Sequence, residues 1–221
     1  HTKSVVQSDL AALVSEVVDL IYKSFTFEQV KRMLGLLQSV SDMTRDFHQD
    51  LELRRMEKKL GFPKEGDMLP TLIYEQVAVE TSIVHVLFVL YMDDAAPERQ
   101  EYANKDLLER MQAYLKEYVE VEKVAHGAAE EAEKKESEKE SEKKESEKES
   151  EKKESERVAT ASIPLITEIV SGMDKTPFEK FVAYCQTYYP LFIAMVEFSG
   201  PEVRAGLSKI FEDKIGKMLF H

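Results

Sequence analysis

The sequence contains no tryptophan, one cysteine, and only 8 glycines and 7 prolines in 221 residues. The single Cys185 cannot form an internal disulfide, which excludes a disulfide-stapled scaffold and favours the cytosol. It sits beside aromatics in a helical pattern, as a buried thiol would, because free cysteine behaves as a small hydrophobe. So few chain breakers exclude a loop-rich or all-β protein. Long apolar runs are missing as well. The longest, Ile83 to Met92, contains His85 and falls far short of the roughly 20 residues that cross a bilayer. A basic surface is also lacking: 42 acidic against 30 basic residues leave a formal charge of −12. No Lys/Arg cluster lies on an aromatic platform, so nucleic-acid phosphate is repelled. The chain opens on His1, which suggests a piece of a longer polypeptide.

Signatures of chemistry are absent too. The histidines His1, His48, His85, His126 and His221 are scattered, with no H-x-x-x-H or C-x-x-C spacing to hold zinc. There is no Walker loop, no G-x-G-x-x-G and no G-x-S-x-G. Asp93 and Asp94 precede Ala95, Ala96 and Pro97 and read as the end of a helix rather than an acid–base pair. Glu75, Glu80 and His85 do not share one face. No catalytic residue, metal or cofactor is expected.

What the chain does have is helical periodicity. Val6, Leu10, Leu13, Val14, Val17, Leu20 and Ile21 form one stripe of a first helix. Thr26 and Gln29 make a capping box, with Phe25 and Val30 as its staple. The second helix is expected to carry Val30, Met33, Leu34, Leu37 and Val40 inward. A third, short and charged, covers Asp50 to Leu60 and stops at Gly61. Phe62 to Pro70 reads as a loop. Leu72 to Tyr91 is apolar on nearly every side and marks a central buried helix. Asn104 to Val124 places Leu107, Leu108, Met111, Leu115, Tyr118 and Val119 on one face.

From Glu130 to Arg157 the only uncharged residues are Ala132 and serines, with K-K-E-S-E-K-E-S-E starting at Lys134 and again at Lys143. Nothing there can join a core. Opposite charges outnumber like charges at i,i+3 but not at i,i+4. Each pair is worth only about 0.2–0.5 kcal/mol, so the tract is a fraying helix or a disordered loop.

Beyond the tract, Pro164 to Met173 reads as a short helix ended by Gly172. Thr176, Pro177 and Glu179 signal the next start: N-cap, first-turn proline and capping-box glutamate. Pro190 interrupts that helix, predicting a kink or break near Tyr189. Ser199, Gly200 and Pro201 begin a last helix running to about Leu219. Arg204 is expected to pair with an acid of the preceding helix and so fix the angle between the last two.

The fold expected is therefore all-α, either a HEAT/armadillo-like stack of antiparallel helix pairs or a compact bundle. Residues 1–129 form an N-terminal block, 130–157 a charged insertion, and 158–221 the helices that complete the same domain. Tyr184, Tyr188, Tyr189, Phe192 and Phe198 make an aromatic-rich segment. It packs the core between helices, or it anchors a partner. A small-molecule or lipid-binding bundle is the alternative and requires a closed apolar cavity on the order of several hundred Å3.

Four stretches, in order, resemble the C-terminal region of the BIG family of large brefeldin-A-inhibited Arf guanine nucleotide exchange factors. They are F-T-F-E-Q-V-K-R-M-L-G-L-L (Phe25 to Leu37), P-T-L-I-Y-E-Q (Pro70 to Gln76), L-Y-M-D-D (Leu90 to Asp94), and Y-Y-P-L-F (Tyr188 to Phe192) followed by P-E-V-R-A-G-L-S-K-I-F-E-D-K-I-G (Pro201 to Gly216). The resemblance covers roughly residues 20–125 and 158–217. The charged repeat departs from the family pattern and reads as a loop insertion, of a fungal type, which loops tolerate at small cost. The resemblance implies the last of several HEAT-like domains downstream of the catalytic exchange domain, whose signature is not in this chain. It implies a non-catalytic part in membrane recruitment, autoinhibition or self-association at the trans-Golgi. The partners it implies are other domains of the parent, a second copy or small GTPases, with peripheral membrane association through the parent and a cytoplasmic location.

Overall fold

A computed structural model describes residues 24–57, 69–135 and 142–219, together with positions 13, 16, 17 and 20. The described residues are all-α, with no strand among them. Six helices follow in order: α1 (Phe27–Glu57), α2 (Leu69–Tyr91), α3 (Pro97–Lys135), α4 (Glu142–Lys175), α5 (Phe178–Phe198) and α6 (Pro201–Ile210). The last continues through a π-helical turn, Phe211–Ile215, into Gly216–Leu219. Most of the first predicted helix, most of the loop after Phe62 and the middle of the charged tract lie outside the described residues. The chain divides into two compact units, His1–Leu107 and Leu108–His221.

In the first unit α1 starts where the sequence predicts. Thr26 N–H donates to Gln29 Oε1 at 2.8 Å and Gln29 N–H to Thr26 Oγ1 at 3.2 Å, the reciprocal bonds of a capping box. From Phe27 the helix runs unbroken to Glu57, so the second and third predicted helices are one. The start is clamped by the first turns of α3. Tyr102 meets the Phe27 ring edge-on at 5.5 Å, and Arg99 donates to the Phe25 carbonyl at 3.4 Å.

Val30 and Leu34 of α1 are buried against a nearly continuous apolar α2, whose residues from Glu80 to Phe88 are all buried. Burying side chains such as Ile83 and Leu87 contributes about 1.5–3 kcal/mol each. Val40, expected to face inward, is 42% exposed, and Ser41 beside it is fully buried. The cause is a buried acid. Glu80 Oε1 accepts from Ser41 Oγ, Arg45 and Gln76 Nε2, each at 3.2 Å. A buried carboxylate needs such partners, and a small hydroxyl serves it where valine could not. Pro70, expected in the loop, belongs to the first turn of α2, the position that tolerates proline.

The aspartates after α2 close the connection to α3. Asp93 Oδ1 accepts the Ala95 N–H at 3.1 Å, and Asp94 Oδ1 accepts from Gln100 Nε2 at 2.8 Å. Pro97 then opens α3.

In the second unit the stripe Met111, Leu115, Tyr118 and Val119 of α3 is buried as predicted. The described ends of the charged tract, residues 130–135 and 142–157, are helical. Neither the expected start at Pro164 nor the expected stop at Gly172 occurs. Pro164 and Gly172 both lie inside α4, which runs on to Lys175, and Gly172 is buried there. Pro190 lies inside an unbroken α5. Its residue is exposed, as is Gln186 one turn back, so the carbonyl deprived of a partner sits on an exposed turn that water can serve.

The end of α4 is closed from elsewhere in the chain. Thr176 does not cap α5; its Oγ1 donates to the Gly172 carbonyl at 2.8 Å, and α5 starts without a side-chain cap. Lys214, in the π-turn, donates its buried Nζ to the carbonyls of Met173, at 2.7 Å, and Thr176. A cation on the final carbonyls of a helix satisfies orphan acceptors and complements the helix dipole. The same Nζ lies 5.1 Å from the Phe181 ring centroid, and desolvation holds its pKa below that of an ordinary lysine.

α4 and α6 advance side by side in one direction. Asp174 pairs with Lys209 at 2.5 Å, and Val170 meets Gly206, where a Cβ would sit 2.6 Å from Val170 Cγ1. The absent side chain at 206 is what permits that approach. α5 therefore runs back in the opposite direction, joining the end of α4 to the start of α6. Arg204 does not show the predicted acidic partner: its guanidinium donates to the Ser199 carbonyl at 2.8 Å and fastens the turn between α5 and α6.

Candidate interaction surface

α5 carries the aromatic-rich segment, and its two faces differ. On the inner face Phe181, Tyr184, Cys185, Tyr188, Phe192 and Met195 are buried at helical spacing. Their rings form a ladder. Phe181 meets Tyr184 edge-on at 5.4 Å, Tyr184 meets Tyr188 edge-on at 5.9 Å, and Tyr188 stacks on Phe192 at 6.4 Å. Such ring pairs contribute about 0.5–1.5 kcal/mol beyond their area. The Tyr188 hydroxyl donates to the Leu108 carbonyl at 2.5 Å. Burial, with the Glu109 carboxylate adding to it, pushes that phenol above its usual range. Burial likewise raises the Cys185 thiol, which leaves it a packing group.

The outer face is different. Tyr189, Ile193 and Val196 stand 44%, 44% and 39% exposed, at i, i+4 and i+7, and so share one side of the helix. Tyr189 leans on Phe211 with ring centroids 6.4 Å apart, which limits its freedom before any partner arrives. Phe198, at the end of α5, is half-buried. His126 Nε2 lies 2.9 Å from its carbonyl oxygen, and Lys123 Nζ lies 5.9 Å from its ring centroid.

The five aromatic candidates are thus divided. Tyr184, Tyr188 and Phe192 build the core; Tyr189 and Phe198 reach the surface. Ile193 and Val196 were not singled out in the sequence, although their spacing from Tyr189 carried the signal. Near this surface, Tyr118 of α3 is pushed up to about 12, chiefly by burial and with a raising contribution from Glu122. A rigid apolar stripe of this kind supplies contact area rather than proton transfer. Among the described residues no group of three or more His, Cys, Asp or Glu could hold a metal ion. Nor is any described helix long and apolar enough to cross a membrane.

The family model described as the BIG2 C-terminal domain matches residues 5–212. No solved structure matches the chain.

Proposed function

The chain belongs to the BIG2 C-terminal domain family, and from that membership we propose that it is a regulatory or assembly domain of a trans-Golgi Arf guanine nucleotide exchange factor. On this reading exchange chemistry belongs to another part of the parent protein, and this domain acts by binding protein. The observation that carries the reading is the outer stripe of α5. Three medium or large apolar side chains stand exposed in a row on a helix whose inner face is locked into a core. Aromatic and aliphatic anchors on a rigid support are what protein interfaces use, and rigidity lowers the ordering cost of binding.

The partners that fit are other domains of the parent, a second copy of the domain, or small GTPases. Membrane association is then peripheral and indirect, on the cytoplasmic face of the Golgi. The test compares full-length parent protein with and without this domain, measuring nucleotide exchange on Arf and recruitment to Golgi membranes. Removal is expected to change at least one of the two. If both stay the same, the regulatory assignment is wrong.

A further inference from the structure

Pro190 stands inside an unbroken α5, where a proline lowers helix stability because it donates nothing to the hydrogen-bond ladder. With no N–H at 190, the Gln186 carbonyl one turn back lacks the donor that an intact helix would give it. Both residues are exposed, and they border the apolar stripe of Tyr189, Ile193 and Val196. We propose that the partner of this face is an amphipathic α-helix, which lays an uncharged seam along α5 and donates one side-chain hydrogen bond to the Gln186 carbonyl. The inference rests on the reading of this stripe as a protein-binding surface.

Spacing selects a helix as the occupant. Half-buried Val182 and exposed Gln186 extend the stripe backwards. Positions 182, 186, 189, 193 and 196 then follow at four, three, four and three, the repeat along which two helices pack. The seam is about 21 Å long and presents a side chain about every 5.2 Å. A second helix repeats at the same interval, whereas an extended strand offers one side chain on a face about every 6.7 Å.

Charge narrows the partner further. From Phe181 to Val196 α5 contains no Asp, Glu, Lys, Arg or His, in a chain of formal charge −12. Glu179 and Lys180 stand before this stretch and Glu197 after it. A charged side chain pressed onto it would lose water with no ion opposite, so the matching seam is uncharged too. The Gln186 carbonyl is the exception to an otherwise apolar match. Covered by a hydrocarbon, it would become a buried acceptor without a donor, which opposes binding. An uncharged donor, such as the carboxamide of Asn or Gln, satisfies it and fixes the register of the incoming helix. Pro190 thus keeps open an acceptor that α5 would otherwise use itself.

The test uses the full-length parent. Pro190→Ala returns an N–H to the ladder, so α5 reclaims the carbonyl. The denaturant midpoint of the domain is expected to rise. Whichever of Golgi recruitment and Arf exchange responds to Tyr189→Glu with Ile193→Glu is expected to shift the same way, as for roughly fivefold weaker binding, the worth of one hydrogen bond. Thr187→Ala, exposed on another side of α5, raises helix propensity without changing the ladder and is expected to leave that readout alone. A shift equal to that of Pro190→Ala would assign the effect to helix stiffness and overturn the proposal. If the double glutamate variant acts and Pro190→Ala does not, the carbonyl is unused: this inference fails and the stripe remains a binding surface. If neither acts, both readings fall. The form of the partner is read by photo-cross-linking from p-benzoylphenylalanine placed at Gln186 or at Val196, about 15 Å apart along α5. A helical partner is expected to be attached at points about ten residues apart. Points about four or five residues apart would mean an extended segment and would overturn the proposal.

Discussion

α1 and α6 are both amphipathic helices, yet they treat their outer faces in opposite ways. α6 turns Val203, Leu207 and Ile210 inward, and with its continuation exposes Glu202, Arg204, Ser208, Lys209, Glu212, Asp213 and Lys217. α1 turns Val30 and Leu34 inward and exposes Leu36, Val40, Met43 and Phe47. A helix face that meets water is polar, and α6 has one. α1 does not, and a contiguous apolar face marks a contact site. The difference separates a face finished for water from one that leaves apolar side chains in it.

The comparison assumes that the inner faces of both units are solid, and the largest effect tests that assumption. Phe192→Ala is expected to destabilise the second unit by about 3–5 kcal/mol and Leu87→Ala the first by about 2–5 kcal/mol, read from denaturant midpoints. A loss under about 1 kcal/mol at either site would mean that its unit lacks a packed core.

Next comes the closeness with which α6 is seated. Gly206→Ala places a methyl against Val170 and is expected to cost about 1–3 kcal/mol; a neutral result would show that the α4–α6 contact is loose. The outer faces then differ directly. Val40→Asp on α1, at a half-exposed apolar position, is expected to cost about 1 kcal/mol. Ser208→Asp on α6 should stay within about 0.5 kcal/mol. Equal small effects would erase the distinction between the two faces.

A further effect is alkaline. Tyr118 sits by the turn that leads into α6, and its folded pKa is raised from 10.0 to about 12. Above pH 10 the unfolded chain loses this proton while the folded chain keeps it, so the native state holds more protons. Stability from this residue is complete below pH 10.0 and falls as pH rises towards about 12, by about 2 kcal/mol. Tyr118→Phe should flatten that decline in melting temperature; an unchanged slope would mean that another group causes it.

What could be read from the sequence was local. The capping box at Thr26, the buried run of α2 and the stripe on α3 depend on neighbours a few residues apart. The errors share a different origin. Gly172 and Pro190 look like breaks, but packing on one side and solvent on the other let the helices continue. Thr176 looks like a cap for α5, but it serves the helix before it, and the main partner of that helix end is Lys214, remote in sequence. Val40 and Ser41 exchange roles because Glu80, on another helix, needs a hydroxyl. The aromatic segment was visible as a cluster, whereas its division into a core ladder and an outer stripe required knowing which side of α5 meets the core.

The most direct test of the account places Tyr189→Glu and Ile193→Glu together in the full-length parent and measures Golgi recruitment and Arf exchange. Both side chains are exposed, so the domain should melt as before while recruitment or exchange changes clearly. Unaltered recruitment and exchange with an intact fold would contradict the claim that this face of α5 binds protein.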